Sequence, residues 1–207
     1  DSPDLVVIAT PPQSTLRALE DEFDKNPQSA FIDVASVKNN LLLQVERLTG
    51  LSQRFIGSHP MAGREVAGPP SAQGDLFQGR AWILTPTSST DEYVVEIAEE
   101  LVSILGATSY VMTAEDHDRL LARISHLPQL TSTALAGSLT SIGDDLSLSG
   151  QGLRDMTRIA NSDGELWSEI LFENRKEVSK AIDEYLQIFA KIKNALDTQD
   201  GEALRKV

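Results

Sequence analysis

The sequence predicts an α/β domain with a parallel β-sheet, followed by a domain built of helices alone. Up to residue 112, short apolar runs of strand length alternate with helical patterns, which is typical of strands joined by crossover helices. Beyond residue 112 the apolar spacing is helical, and no buried strand pattern follows. We therefore expect two domains, residues 1–112 and residues 113–207.

The first half contains five candidate strands with helical patterns between them. The first is a continuous apolar run, which is typical of a strand buried on both faces of a parallel sheet. The predicted strands are Leu5–Ala9, Ala30–Val34, Arg54–Gly57, Ala81–Thr85 and Thr108–Met112. The predicted helices run from Ser14 to Phe23, from an N-cap at Ser36 to Leu48, and from Asp91 to Leu105.

The second half contains two long helical patterns. The first covers residues 114–139 and includes Pro128, which should kink the helix and free the carbonyl of Ile124. The second covers residues 165–196, and its apolar stripe suits either a helical core or a dimer interface. The polar tail, residues 197–207, is expected to fray.

Composition excludes several classes of function. The chain has 207 residues with 31 Asp and Glu against 18 Lys and Arg, a net charge of −13 that disfavours general binding to nucleic acid or anionic lipid. No apolar stretch approaches the ~20 residues of a membrane span, so we expect no membrane partner. The absence of Cys excludes disulfides and thiolate catalysis, and three His make a metal centre improbable. A cytoplasmic location suits such a chain.

Polar residues follow the predicted strands, where ligands of parallel sheets bind. This placement brings Ser36 and His59 near one crevice. For Ser36 an N-cap is the more common role, and a contact with a ligand is the alternative. His59 precedes Pro60, which holds it extended; it is either a base suited to neutral pH or a structural histidine.

The helical half offers two histidines. His126 lies two residues before Pro128, so a functional role and a packed helix histidine both stay open. His117 stands between Asp116 and Asp118, and for it we favour a structural role.

Two arginines, Arg154 and Arg158, are four residues apart on a predicted helical face. They form either a solvated ion-pair surface with Asp155 and Asp163 or a site for a carboxylate, which a guanidinium group binds well.

These features occur within a series of motifs that resembles one family. The motifs, in chain order, are DLVVIATPP, FIDVASVK, FIGSHPMAGRE, AWILTPT, HDRLLARISHLPQ and GQGLRDMTRIANSDGELW. They are similar to the prephenate dehydrogenase family, which includes arogenate dehydrogenases, and the pair of SHPMAG and SHLP is the most specific part. The resemblance covers residues 4 to 196.

The resemblance implies the C-terminal part of a Rossmann-like parallel-sheet domain, followed by an all-α dimerisation domain. In the family a βαβ unit with G-x-G-x-x-G precedes the DLVVIATPP strand, and this sequence contains no such motif. We therefore expect a partial nucleotide-binding domain that is inactive as a fragment.

The activity that the resemblance implies is oxidative decarboxylation of prephenate to 4-hydroxyphenylpyruvate in tyrosine biosynthesis, with NAD or NADP as cofactor and a homodimer formed through the helical domain. Two alternatives stay open. One is an arogenate-preferring dehydrogenase that gives tyrosine directly. The other is a truncated, non-catalytic module that binds an aromatic carboxylate or only dimerises.

The resemblance also implies roles for individual residues. His59 matches the catalytic histidine, and Ser36 matches a serine beside it and the nicotinamide. The residues expected to contact the cofactor are Thr10, Pro11, Pro12 and Ser36. Those expected to bind substrate are Arg158 for a carboxylate, His126, Trp167 at the pocket edge from the partner subunit, and Arg154 and Arg64 as further positive groups. Gln129 departs from the family, in which many members carry a second histidine there.

Overall fold

The computed structural model describes residues 3–63, 72–141 and 143–207. In this part of the chain, a five-stranded sheet with helices on both faces precedes a helical region. The strands are β1 (Leu5–Ile8), β2 (Ala30–Asp33), β3 (Phe55–Pro60), β4 (Ala81–Thr85) and β5 (Thr108–Val111). The helices are α1 (Pro12–Lys25), α2 (Asn39–Val45), α3 (Leu51–Arg54), α4 (Glu92–Ile104), α5 (Ala114–Leu121), α6 (Leu127–Ser138), α7 (Gln151–Thr157), α8 (Gly164–Glu173), α9 (Arg175–Asp197) and α10 (Gly201–Arg205).

The strands lie in the order β1-β2-β3-β4-β5. β1, β2 and β3 run parallel, as do β4 and β5, so the predicted α/β class with a mostly parallel sheet is confirmed. β3 and β4 are antiparallel, with Gly57 opposite Thr85 and Pro60 opposite Trp82. This pairing carries β3 three residues beyond its predicted end, so His59 lies on a strand and not in the following loop.

Side chains that alternate along the strands build two hydrophobic cores, one on each face of the sheet. Phe31 of β2 faces the core formed with α1 and α2. Its neighbours Ala30 and Ile32 face the core formed with α4. β1 is less buried than predicted. It is the outermost strand of the described sheet, α4 packs over β2, β3 and β5, and Val7 is 46% exposed.

The predicted break at Pro128 takes the form of a π-helical turn, residues 122–126, between α5 and α6. The N–H of Leu127 bonds to the carbonyl of Ala122, five residues back. Proline has no N–H and its ring excludes the carbonyl four residues back, so a wider turn accommodates it. His126 is the last residue of this turn.

The long helix predicted over residues 165–196 is wrong as a single element, because α8 and α9 meet at a break at Asn174 (φ −103°, ψ 22°). The Asn174 amide donates to the carbonyl of Asp118 on α5 at 2.7 Å, a tertiary contact that holds the break in place. The predicted fraying of the tail is also wrong for α10. The Asp200 carboxylate caps that helix by accepting the N–H groups of Glu202 and Ala203.

Among the described residues, no helix is both long enough and apolar enough to cross a membrane.

Candidate functional site

The candidate site lies where β3 meets the start of the helical region. His59, half-buried on β3, has its Nδ1 2.9 Å from Nε2 of His117 on α5. The His117 ring is fully buried, and its Nδ1 lies 2.7 Å from Oδ1 of Asp118. The three side chains form one hydrogen-bonded chain that runs from the sheet into the interior.

Asp118 also reaches into the sheet region, where its carboxylate caps α2. Oδ1 accepts the N–H of Lys38 at 3.0 Å, and Oδ2 accepts the N–H of Asn39 at 2.9 Å. The prediction of Ser36 as the N-cap of this helix is therefore wrong: α2 begins later, after Lys38. The Ser36 side chain is half-buried, and no residue of the described chain hydrogen-bonds its hydroxyl.

A buried polar network fixes the residue before His59. Lys38 and Asp33 are both fully buried and form an ion pair. Asp33 Oδ1 accepts the N–H of Ser58 at 3.1 Å, and the Ser58 hydroxyl donates to the Asp33 carbonyl at 2.6 Å. Trp82 Nε1 in turn donates to the Ser58 hydroxyl at 2.9 Å. Buried charges are tolerated when they are paired and hydrogen-bonded in this way.

Burial determines the charge of two of the three histidines. It lowers the pKa of His59 well below 6.5, and the nearby His117 and Lys38 lower that pKa further. Burial also lowers the pKa of His126 to about 4, with Asp118 acting in the opposite direction and His117 in the same one. Both imidazoles are therefore neutral at pH 7 and able to accept or donate one hydrogen bond at each nitrogen.

Two residues predicted to line the substrate pocket lie together within one chain, although Trp167 was expected to come from the partner subunit. His126 is buried, and its ring meets that of Trp167 edge to face at a centroid separation of 6.1 Å. Its Nδ1 is 3.2 Å from Nδ2 of Asn174. Gln129, one turn after His126, donates to the carbonyl of Ile159 at 2.8 Å and so holds the turn that follows α7.

The two predicted arginines are exposed, but one regular helix does not carry both. α7 ends at Thr157, and Arg158 begins a 3₁₀ turn that runs to Asn161. Arg154 lines a cavity of about 320 Å³ between α6 and α7. Arg64 lies outside the described residues.

The residues predicted to contact a cofactor lie between the ends of β1 and β2. Thr10 and Pro11 follow β1, and Pro12 is the first residue of α1, whose first turn has no side-chain cap. A cavity of about 390 Å³ separates Pro12 from the β2–α2 loop at Ala35 and Val37. An uncapped helix start beside a cavity at the carboxyl end of parallel strands fits part of a dinucleotide.

Residue patterns alone did not identify five members of this site: His117, Asp118, Asp33, Lys38 and Asn174. The adjacent pair His117–Asp118 was a visible signal, because a carboxylate beside a histidine often orients it. The sequence signal for the buried Asp33–Lys38 pair is weaker. It consists of two opposite charges at and just after the end of a strand whose other residues are apolar.

Family models match the chain on both sides of residue 112. Residues 1–111 match the nucleotide-binding domain of prephenate dehydrogenase. Residues 113–207 match the dimerization domain of prephenate dehydrogenase.

Individual relatives agree with these matches. The chain is 31% identical over 206 residues to prephenate dehydrogenase of Bacillus subtilis, covering 96% of this chain and 55% of that protein. It is 32% identical over 155 residues to cyclohexadienyl dehydrogenase of Zymomonas mobilis, covering 72% and 53% respectively. The chain thus spans about half the length of the curated relatives it matches.

Solved structures share the fold over nearly the whole chain. Prephenate dehydrogenase from A. aeolicus, in complex with hydroxyphenyl propionate and NAD+, superposes with a TM-score of 0.90 at 30% identity, over 99% of this chain and 73% of that one. Synechocystis arogenate dehydrogenase gives a TM-score of 0.82 at 29% identity, over 98% and 74%. With both of its family models matched and this agreement in fold, the chain belongs to the prephenate dehydrogenase family.

Proposed function

We propose that the chain provides the catalytic base and substrate pocket of an NAD-dependent prephenate dehydrogenase, which oxidises and decarboxylates prephenate to 4-hydroxyphenylpyruvate. The observation that carries the proposal is the environment of His59. Its Nδ1 is engaged by His117, whereas no described residue bonds its Nε2. A neutral imidazole with one nitrogen available is the form that a general base requires.

His59 removes the proton from the ring hydroxyl of the substrate as the hydrogen on the same carbon leaves as hydride. Loss of the ring carboxylate as carbon dioxide then makes the ring aromatic, which drives the reaction forward. NAD, when bound, accepts the hydride. As the carboxylate leaves, the proton returns from His59 Nε2 to the ring oxygen, which becomes the phenol of the product.

Ser36 and the loop of Thr10, Pro11 and Pro12 are the residues that we propose to hold the cofactor. The Ser36 hydroxyl is half-buried without a partner in the described chain, so it can donate to a ligand. NAD is favoured over NADP because the similar A. aeolicus enzyme was solved with NAD+. Equal rates with both cofactors would contradict this preference.

The substrate is a dianion, so a chain with a net charge of −13 needs local positive groups to bind it. We assign the carboxylates to Arg158 and Arg154, with Arg64 as a further positive contact and His126 and Trp167 against the ring. An arogenate preference is the second candidate, because the Synechocystis arogenate dehydrogenase shares the fold. Relative turnover of prephenate and arogenate distinguishes the two.

We propose a homodimer that forms through the helical domain, residues 113–207. α9 exposes a large apolar surface: Leu186 is 58% exposed and Phe189 is 51% exposed. Such a surface is more typical of an interface than of a monomer in water. The match of residues 113–207 to the family's dimerization domain supports this assignment. A monomer at micromolar concentration in analytical ultracentrifugation would contradict it.

The test of the function is the His59→Asn variant of the full-length protein encoded by the gene, assayed with prephenate and NAD. Asparagine keeps a polar side chain on β3 but is no base, so kcat should fall on the order of 10²- to 10⁴-fold. Circular dichroism and thermal unfolding serve as the control for an intact fold. Near-normal turnover by a folded variant would contradict the role of His59.

A further inference from the structure

We propose that His117 and Asp118 are positioning residues that lock His59 in its Nδ1–H tautomer, so that the Nε2 lone pair is presented to the substrate. The catalytic consequence rests on the function proposed above. The tautomer itself follows from the hydrogen bonds of the described residues and can be measured without turnover.

The chain of hydrogen bonds is directional because it ends on an acceptor. The Asp118 carboxylate already accepts two backbone N–H groups, from Lys38 and Asn39. Nδ1 of His117, 2.7 Å from Oδ1 of that carboxylate, must therefore carry the hydrogen.

A neutral imidazole carries one N–H, so Nε2 of a neutral His117 is an acceptor. His59 Nδ1, 2.9 Å from His117 Nε2, is then the donor of the second hydrogen bond. The lone pair of His59 remains on Nε2.

His126 provides an internal contrast, because its tautomer is fixed the other way. Nδ2 of Asn174 lies 2.7 Å from the carbonyl oxygen of Asp118, which can only accept, so the amide nitrogen is oriented as a donor. The same nitrogen is 3.2 Å from Nδ1 of His126, which therefore accepts. The hydrogen of His126 is on Nε2, where it can be donated to a ligand.

The arrangement would also support the charged state of the base. When His59 Nε2 takes the substrate proton, the ring becomes a cation whose Nδ1–H already points at His117. The carboxylate of Asp118 at the end of the chain stabilises that charge, and hydrogen bonds in a low-dielectric interior strengthen one another.

The first test is ¹⁵N-histidine NMR of the 207-residue chain near pH 7, with two-bond ¹H–¹⁵N correlations that report which ring nitrogen carries hydrogen. Because the sequence has three histidines, each ring can be assigned by removing one at a time. We expect Nδ1–H for His59 and His117 and Nε2–H for His126. An Nε2–H tautomer at His59, or two hydrogens on His117, would overturn the proposal.

The second test uses Asp118→Asn to reverse the direction of the hydrogen bonds that link residue 118, His117 and His59. The amide oxygen can still accept a backbone N–H of α2, while its NH₂ donates to His117 Nδ1. His117 must then donate from Nε2, and His59 moves to the unproductive Nε2–H tautomer. We expect kcat for prephenate to fall on the order of 10²-fold, with KM changed less than about threefold. Asp116→Asn, two residues earlier on α5 with a side chain that is about half exposed, is the matched control and should leave both unchanged.

Since Asp118 also caps α2, a second pair of variants separates positioning from stability. His117→Phe removes the acceptor, and His117→Gln offers a carbonyl oxygen in its place. Partial recovery of the Nδ1–H signal of His59 in the Gln variant supports positioning. Equal tautomer populations in wild type, Phe and Gln variants would overturn it. If the wild-type protein shows the expected tautomers but the His59→Asn variant turns over normally, the proposed function is refuted and the tautomer assignment stands.

Discussion

The two sides of the candidate site are built in opposite ways. On the sheet side, His59 is supported by buried groups whose hydrogen bonds are all made within the protein, among them Asp33, Lys38 and Ser58. On the helical side, Arg154 and Arg158 lie exposed on a seven-residue helix and the 3₁₀ turn after it. Folding alone fixes the geometry of the base, whereas both arginine side chains are exposed at the surface.

The chemistry of each group accounts for this difference. A histidine base works only in one tautomer and at one position, so its surroundings must be rigid and its hydrogen bonds directional. An arginine is charged at any physiological pH and carries five N–H donors on a long side chain. It can therefore bind a carboxylate from an exposed position without a preformed cage.

The largest expected effect on the free energy of unfolding comes from Asp33→Ala, which removes the buried ion pair with Lys38. This change leaves the Lys38 ammonium buried without its partner, which should lower the free energy of unfolding by about 3 to 5 kcal/mol. Asp197→Ala, which removes an exposed ion pair with Lys193, is the control and should cost less than about 1 kcal/mol. Urea unfolding of both variants measures the difference, and similar losses would show that burial does not distinguish the two pairs.

A smaller effect of another kind is expected from the exposed side with Arg158→Ala. Loss of hydrogen bonds to a carboxylate is worth about 1.5 to 3 kcal/mol, so KM for prephenate should rise roughly 10- to 150-fold. Circular dichroism and thermal unfolding show whether the variant is folded. Steady-state kinetics measure KM, with the exposed Arg205→Ala variant as the control. An unchanged KM would remove Arg158 from the binding site.

Acid should destabilise the protein through the buried histidines of the site. The unfolded chain binds a proton at His126 near pH 6.5, but the folded protein binds it only near pH 4, so stability present above pH 6.5 is lost as the pH falls. At pH 5 this one group should account for a loss of about 2 kcal/mol, and the lowered pKa of His59 acts with the same sign. Urea titrations at pH 7 and pH 5 measure the loss, and a parallel pH slope in His126→Gln would contradict its origin.

Local patterns predicted the strands and the break near Pro128, because each depends on neighbouring residues in the chain. They ended β3 before His59, because the pairing with β4 that extends β3 is made with residues about 25 positions away. They did not predict the cap of α2, because its carboxylate comes from Asp118, 80 residues from Lys38. The break at Asn174 was not predicted for the same reason. The apolar spacing continues through it, and the contacts that hold it are made with α5 and the π-helical turn. Hydrogen bonds between distant segments leave no periodic trace in a sequence.

The capping of α2 by Asp118 has a consequence for folding cooperativity. The first amides of a helix in the sheet region depend on a carboxylate of the helical region, and the same carboxylate orients His117. Undocking of α5 would therefore expose the amides of Lys38 and Asn39 to hydrogen exchange and release His59 in a single event. The two regions are thermodynamically linked, and a chain in which they have separated has no assembled base.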